Sequence, residues 1–261
     1  MTKSYSNKLD PEIILFLNDK VKQYNKPTFI ESDPISIPHR YSLKEDIEIA
    51  SFLAATISWG NRVQIVKTGH KLMDLMGNSP FDFVMNHSLK DLNIFNGFVY
   101  RTFNELDLKY FIVALKNIYE NHGGMEEIFI RYSTQDSLLP AIHHFRKHFF
   151  ELKHLERTEK HISDPFKNSA TKKMNMYLRW LIRNDNCGVD FGICKKLNPS
   201  QLSCPLDVHS GNIARKLGLL KREQNDYKAV CELDNNLRML DKSDPVKYDF
   251  ALFGLGIFEK F

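Results

Sequence analysis

Residues 45–58 read Glu-Asp-Ile-Glu-Ile-Ala-Ser-Phe-Leu-Ala-Ala-Thr-Ile-Ser, a stretch that is almost wholly apolar after its first residues. Such a run is typical of a helix that is buried on most of its sides. Outward from it, residues 14–24, 63–76 and 108–119 carry apolar side chains at intervals of three and four, which predicts further helices. Alternating strands, internal repeats and low-complexity tracts are missing from the sequence. We therefore predict an all-α fold.

The composition indicates an ordinary soluble globular protein, since hydrophobic residues make up 43% and charged residues 26% of the 261 residues. No apolar stretch approaches the roughly 20 residues of a membrane span, so we expect no membrane association. The first ten residues lack the apolar core of a signal peptide, which predicts a cytoplasmic location.

The cysteines and histidines give little indication of a bound metal or cofactor. Cys187, Cys194, Cys204 and Cys231 form no Cys-x-x-Cys pair, so neither a zinc nor an iron–sulfur site is expected. The spacing of His144 and His148 suits two ligands on one helix, but no zinc-binding pattern that contains a glutamate accompanies it. We therefore predict that the protein uses neither a metal nor a cofactor.

The charges are distributed unevenly along the chain. Residues 141–222 contain sixteen Lys/Arg against seven Asp/Glu, whereas the rest of the chain contains twenty against twenty-five. A basic segment of this kind is expected of a protein that binds a polyanion. A solvated helical surface explains the charges equally well.

Two segments carry side chains suited to chemistry. In residues 171–183 the polar side chains of Lys172, Asn175, Arg179 and Arg183 form a stripe that could follow phosphates, or that simply faces solvent. In Cys204-Pro205-Leu206-Asp207-Val208-His209 the aspartate precedes a short helical run that Gly218 ends. Asp207 is therefore predicted to be an N-cap, and the amides of the helix would also keep its carboxylate ionised.

Four segments, in the same order along the chain, resemble the helix-hairpin-helix (HhH-GPD) DNA glycosylase superfamily, and within it the 8-oxoguanine DNA glycosylases. Residues 205–209, Pro-Leu-Asp-Val-His, are similar to the segment that carries the catalytic aspartate of that superfamily. Residues 170–175, Ala-Thr-Lys-Lys-Met-Asn, resemble the end of its hairpin, and the lysine there is the nucleophile of the bifunctional enzymes. Residues 57–62 resemble the turn that enters the gap left by an extruded base, and residues 97–101, Gly-Phe-Val-Tyr-Arg, resemble the element with the wedge tyrosine.

The resemblance implies a function for each matching residue. Lys172 would attack the sugar, with Lys173 as the second candidate, and Asp207 would stabilise the cationic transition state. The implied partner is double-stranded DNA with a damaged base that is flipped out of the stack. The remaining implied residues are the DNA contacts Asn61, Arg62, Tyr100, Arg101 and His209 and the base-pocket residues Met176, Asp249 and Phe253. The polar stripe in residues 171–183 adds Arg179 and Arg183 as predicted DNA contacts.

The sequence also departs from that superfamily. The hairpin before the lysine normally contains glycine, whereas residues 166–170 here read Phe-Lys-Asn-Ser-Ala. The interval between Lys172 and Asp207 is longer than usual, and the archaeal branch of the 8-oxoguanine glycosylases is more similar in this region. A bacterial family of uncharacterised proteins matches more closely, through the Lys-Lys-x-Asn-Met helix, Pro-Leu-Asp-Val-His and residues 244–254.

We predict two helical subdomains that flank a cleft. Residues 46–155 would form one bundle, and residues 1–45 with 156–261 would form the other, which carries the hairpin-like region and Asp207. The leading functional hypothesis is a monomeric glycosylase, with or without lyase activity, for an oxidised purine such as 8-oxoguanine. A catalytically inactive DNA- or RNA-binding protein with the same fold is the alternative. A nuclease or phosphotransfer enzyme is disfavoured, because no cluster of carboxylates for metal binding is seen.

Overall fold

The computed structural model describes residues 11–259 and 261, and it confirms the all-α prediction. Short 3-10 turns connect the helices, and a π-helical turn, Leu255–Glu259, follows the last of them. The helices are α1 (Pro11–Tyr24), α2 (Lys44–Ile57), α3 (Arg62–Leu75), α4 (Pro80–Asn86), α5 (Glu105–His122), α6 (Met125–Tyr132), α7 (Leu139–Phe149), α8 (Lys172–Ile182), α9 (Val208–Lys216), α10 (Tyr227–Leu240) and α11 (Tyr248–Gly254).

The first ten residues, on which the prediction of no signal peptide depends, lie outside the described part of the chain. Among the residues that are described, no helix has both the length and the apolar character that crossing a membrane requires.

The almost wholly apolar run of the sequence forms α2, whose residues from Ile47 to Ile57 are all buried. Helix α5 shows how local signals set the bounds of the other helices. The side chain of Asn104 accepts hydrogen bonds from the first turn, and Asp107 bonds back to the backbone N–H of Asn104, so the two form a capping box. At the other end, Gly123 adopts φ 80°, a left-handed conformation that glycine enters without steric cost.

A small hairpin is the one strand pair in the described residues, and the sequence pattern did not predict it. Strand β1 (Val99–Tyr100) pairs antiparallel with β2 (Phe103–Asn104). Arg101, in the turn between them, has φ 53°. Two-residue strands are too short to show an alternating pattern, so they leave no periodic signal in the sequence.

The buried apolar side chains form two clusters. The larger cluster includes α2, α5, α7 and the apolar face of α8, and the smaller one joins α1, α9, α10 and most of α11. Helix α8 thus packs mainly against α2, while Asp207 precedes a helix of the smaller cluster. The proposed division at residues 46–155 stays a prediction.

Candidate functional site

The backbone that leads into α8 is held in an unusual conformation. Thr171 has φ 46°, and Asn168, three residues earlier, has φ 61°. The side chain of Asn175 donates to the carbonyl of Ala170 at 3.1 Å, and the N–H of Thr171 donates to Ser169 Oγ at 3.2 Å. Two non-glycine residues therefore make the left-handed turns for which glycine is the usual choice, and Lys172 begins the helix directly after them.

Asp207 is the N-cap of α9, as the sequence predicts. Its Oδ1 accepts hydrogen bonds from the backbone N–H of His209 at 2.9 Å and of Ser210 at 3.0 Å. The N–H of Asp207 donates to Ser210 Oγ, which completes a capping box. The carboxylate is thus fixed in direction, and its second oxygen, Oδ2, is left to face the cleft.

The structure brings Lys172 and Asp207 together. The distance from Lys172 Nζ to Asp207 Oδ2 is 3.5 Å, and both side chains are partly exposed. They line one cleft of about 660 Å³, which lies between the start of α8, the start of α9 and the Ser58–Arg62 loop. The ammonium and the carboxylate therefore face the same cleft. A cation and an anion at this distance inside a concave site are suited to acid–base and electrostatic catalysis.

Lys173 lies beside this pair, and its ammonium is directed at the protein backbone. Its Nζ donates to the carbonyl of Thr56 at 2.6 Å. Burial, assisted by the charge of Lys172, lowers the pKa of Lys173 to about 8. The amine of Lys173 is therefore more easily deprotonated than that of an ordinary lysine, whereas Lys172 is the lysine in contact with the carboxylate.

This lowered pKa predicts a pH dependence of folding stability. Between about 8 and the ordinary value of 10.5, unfolded Lys173 retains a proton that the folded protein has lost, so the folded state becomes more favourable as pH rises. We expect the free energy of unfolding of the wild type to rise by on the order of 3 kcal/mol over this range relative to Lys173→Met. Urea titrations at several pH values would measure the difference.

The matched control is Lys71→Met, which removes an exposed lysine of α3. The free energy of unfolding of this variant, plotted against pH, should run parallel to that of the wild type. A parallel curve for Lys173→Met as well would show that Lys173 titrates normally in the folded protein.

An aromatic and cationic group stands at the mouth of the cleft. Trp59 is 52% exposed, and the Arg101 guanidinium lies 4.1 Å from the centre of its ring. Tyr100 Oη donates to the carbonyl of Trp59 at 3.1 Å, so β1 is attached to the loop. Gly60 has φ +114°, and a Cβ there would lie 2.5 Å from Arg101 Nη1. Glycine at this position therefore permits the arginine to cover the indole.

The other predicted DNA contacts have more restricted surroundings. Asn61 caps α3 by accepting from the N–H of Gln64. Arg62 pairs with Asp33 at 2.9 Å and also lies against three phenylalanine rings, so it is largely held by the protein. His209 is exposed and lines the cleft next to Asp207.

The predicted base-pocket residues lie below the Lys172–Asp207 pair. Met176, Asp249 and Phe253 line a small cavity of about 30 Å³ that adjoins the cleft. Asp249 is buried, and this burial raises its pKa to about 6, although the Arg179 guanidinium at 2.5 Å opposes the rise. The cavity has room for about one water molecule. A base would therefore enter only after a side chain such as Phe253 or Met176 moved.

Residues 33–258 match a protein family described as a protein of unknown function, DUF2400. The chain belongs to the DUF2400 family. Searches of curated proteins and of solved structures gave no significant match. The family therefore covers nearly the whole fold, including both sides of the cleft, without assigning it a reaction.

For this DUF2400 chain, the prediction that Arg179 and Arg183 contact DNA is wrong. Arg179 is 4% and Arg183 is 1% exposed, so neither can lie along a phosphate backbone. Asp190, from the irregular loop after α8, contacts both guanidinium groups, at 3.4 Å for Arg179 and 3.0 Å for Arg183. Asp249 also pairs with Arg179, and both Asp244 and Asp185 pair with Arg183. The polar stripe of α8 therefore faces the protein interior, where its two arginines belong to a buried ionic network. Of the stripe, only Lys172 is partly exposed.

Sequence reasoning missed Trp59 and Lys160, which line the cleft of the DUF2400 chain. Trp59 lies within residues 57–62, which the sequence analysis singled out, but a lone tryptophan gives no pattern from which its exposure could be predicted. Lys160 lies in a 3-10 turn, Glu156–His161, that carries charges of both signs and shows no helical periodicity. The only available signal was its membership of the basic segment, residues 141–222.

Proposed function

We propose that this protein is a DNA glycosylase of the helix-hairpin-helix type, with associated lyase activity, that excises a damaged base such as an oxidised purine. The observation that carries the proposal is the Lys172–Asp207 pair, 3.5 Å apart in a cleft. The resemblance of residues 170–175 and 205–209 to the catalytic segments of that superfamily supports the same assignment. We further propose that the protein is a monomer, because one chain supplies both residues of the pair and the cleft around them. We also propose that it acts in the cytoplasm.

The chemistry assigns separate tasks to the two residues. Lys172 loses a proton, and its amine attacks the anomeric carbon of the sugar while the glycosidic bond breaks. The base leaves with the bonding electrons and takes up the proton that Lys172 has lost. Asp207 Oδ2 faces the sugar and stabilises the positive charge that develops there. The Lys172 adduct then opens to an imine, and loss of a proton from the sugar expels the 3′ phosphate and nicks the strand.

The surroundings of the pair are suited to a phosphodiester backbone. Besides Lys172, the lining includes the cations Lys160, Lys173 and Arg62, against the anions Asp33 and Asp207. A cleft with such an excess of positive charge attracts a polyanion, and it also favours loss of a proton from a lysine. Trp59 at the mouth offers an exposed ring on which a base could stack, a contact that is indifferent to sequence.

Borohydride trapping tests the proposal. Duplexes that contain an oxidised purine or an abasic site should give a covalent protein–DNA adduct with the wild type, because borohydride reduces the imine to a stable amine. We expect at least a tenfold loss of adduct in Lys172→Gln, whereas Lys173→Gln should retain it. Gel electrophoresis of the denatured products measures the adduct.

Other outcomes are equally informative. An adduct that persists in Lys172→Gln and disappears in Lys173→Gln would assign the nucleophile to Lys173. If the wild type binds duplexes but neither excises a base nor forms an adduct, the glycosylase proposal fails. That result would favour the alternative hypothesis, a catalytically inactive nucleic-acid-binding protein with the same fold.

A further inference from the structure

Three potential metal ligands meet on a surface remote from the cleft. His122 ends α5, His148 lies in the last turn of α7, and Glu151 follows that helix. His122 Nε2 is 2.7 Å from Glu151 Oε1, and His148 Nδ1 is 3.6 Å from Glu151 Oε2. One nitrogen from each histidine and one carboxylate oxygen lie within 4.8 Å of one another. None of the three residues lines the cleft.

The spacing of these atoms is close to that of a zinc site. With ligand bonds of about 2.1 Å, the ligand atoms of a tetrahedral zinc ion are separated by about 3.4 Å. A displacement of roughly 1 Å, within the reach of small rotations about χ1 and χ2, would bring the three atoms to that separation. The side chains are 15%, 22% and 37% exposed, so an ion from solvent can reach them.

The groups behind the three residues are those that orient metal ligands. His148 Nε2 lies 3.2 Å from Tyr132 Oη, so in the tautomer that leaves Nδ1 free this nitrogen donates to the phenol. Asn117 Nδ2 donates to Glu151 Oε1, and Asn121 Nδ2 donates to Asn117 Oδ1 at 2.8 Å. Metal-binding histidines usually donate their second nitrogen in this way, and metal-binding carboxylates accept an additional hydrogen bond.

The backbone also favours a cation here. Helices α5 and α7 both end at this position, and the carbonyl ends of helices carry partial negative charge. The guanidinium of Arg131 on α6 is close enough for its positive charge to act on His148. It pairs with Glu127 at 4.0 Å, so part of its charge is compensated.

We propose that His122, His148 and Glu151 form a zinc-binding site that joins the end of α5 to the end of α7. Two imidazoles and one carboxylate are a ligand set that zinc accepts, with a water molecule in the fourth position. The inference is independent of the proposed glycosylase activity, since it concerns a different surface.

A second group, Glu48, Glu126 and Cys194, also has ligand atoms within 4.8 Å of one another, but a lysine ammonium already lies against it. Lys44 Nζ bonds to Glu126 and lies 3.8 Å from Glu48 Oε1. Burial raises the pKa of the Cys194 thiol, so the thiolate that zinc prefers is disfavoured. This group therefore serves as the comparison site for the experiment.

Isothermal titration of the untagged, metal-free protein with zinc chloride tests the proposal. We expect one zinc ion per chain and a rise in Tm with zinc, because a ligand that binds only the folded state stabilises it. His122→Gln, His148→Gln and Glu151→Gln should each weaken binding at least tenfold. Cobalt in place of zinc should give visible absorption bands that the same three variants lose.

His144→Gln and Cys194→Ser are the matched controls. His144 lies one turn before His148 but stacks on Tyr132, and Cys194 belongs to the comparison group. Both variants should bind zinc as the wild type does. The proposal is overturned if the wild type binds no zinc, if all three ligand variants retain the wild-type affinity, or if only a control variant loses binding.

Discussion

Replacement of Asp207 by asparagine is expected to lower the rate of base excision by about 10²–10³-fold, as when one electrostatic contact to a transition state is removed. The substitution removes the negative charge of the Oδ2 atom that faces Lys172. It keeps an oxygen that can accept from the N–H groups of His209 and Ser210, and asparagine is as good an N-cap as aspartate. The fold should therefore be almost unaffected. Single-turnover excision from an oxidised-purine duplex measures the rate.

Asp226→Asn is the matched control, because Asp226 caps α10 as Asp207 caps α9. Asp226 does not line the cleft, and its variant should excise the base within a few-fold of the wild-type rate. If Asp207→Asn also retained that rate, Asp207 would be a helix cap and nothing more. A large loss in thermal stability of Asp207→Asn would point to the same conclusion.

The second large effect concerns stability. We expect Arg179→Met to lower the free energy of unfolding by about 3–5 kcal/mol, the usual cost when one partner of a buried ion pair is removed. The reason is that Asp190 and Asp249 remain, buried and without their shared guanidinium. Burial already raises the pKa of Asp249 to about 6, so at low pH this carboxyl takes up a proton and the loss is smaller. Urea unfolding at pH values above and below the pKa of Asp249 measures the loss of stability and its dependence on pH.

Arg131→Met provides the comparison. Arg131 is largely exposed and makes a single weak pair with Glu127, so its removal should change stability by less than about 0.5 kcal/mol. If Arg179→Met instead left stability unchanged and reduced the affinity for DNA together with its salt dependence, Arg179 would be a phosphate contact after all.

The sequence predicted the helical class and several helix bounds because both depend on local signals. The apolar run of α2 and the position of Asp207 before α9 are of this kind. The meeting of Lys172 and Asp207 is a long-range feature, and it was predicted only through the resemblance to a known superfamily. Periodicity alone places residues on a face of a helix but does not show which distant segment covers that face.

Arg179 and Arg183 show this limit most clearly. Their spacing is that of a polar stripe, and a stripe of arginines looks the same whether it faces water or buried carboxylates. The covering residue, Asp190, belongs to a loop with no periodicity, and Asp244 and Asp249 lie more than sixty residues away. Only the folded chain shows that the two guanidinium groups are paired with these three carboxylates.

The left-handed backbone of Thr171 has a consequence for how this region can evolve. A β-branched residue in that conformation carries a strain of roughly 1–3 kcal/mol, which neighbouring contacts must offset. Ser169 and Asn175 supply those contacts. A lineage that lost either one would let residue 171 relax and Lys172 turn away from Asp207. Selection on the chemistry of Lys172 would therefore constrain residues 169 and 175, whose own contribution is to hold the backbone in place.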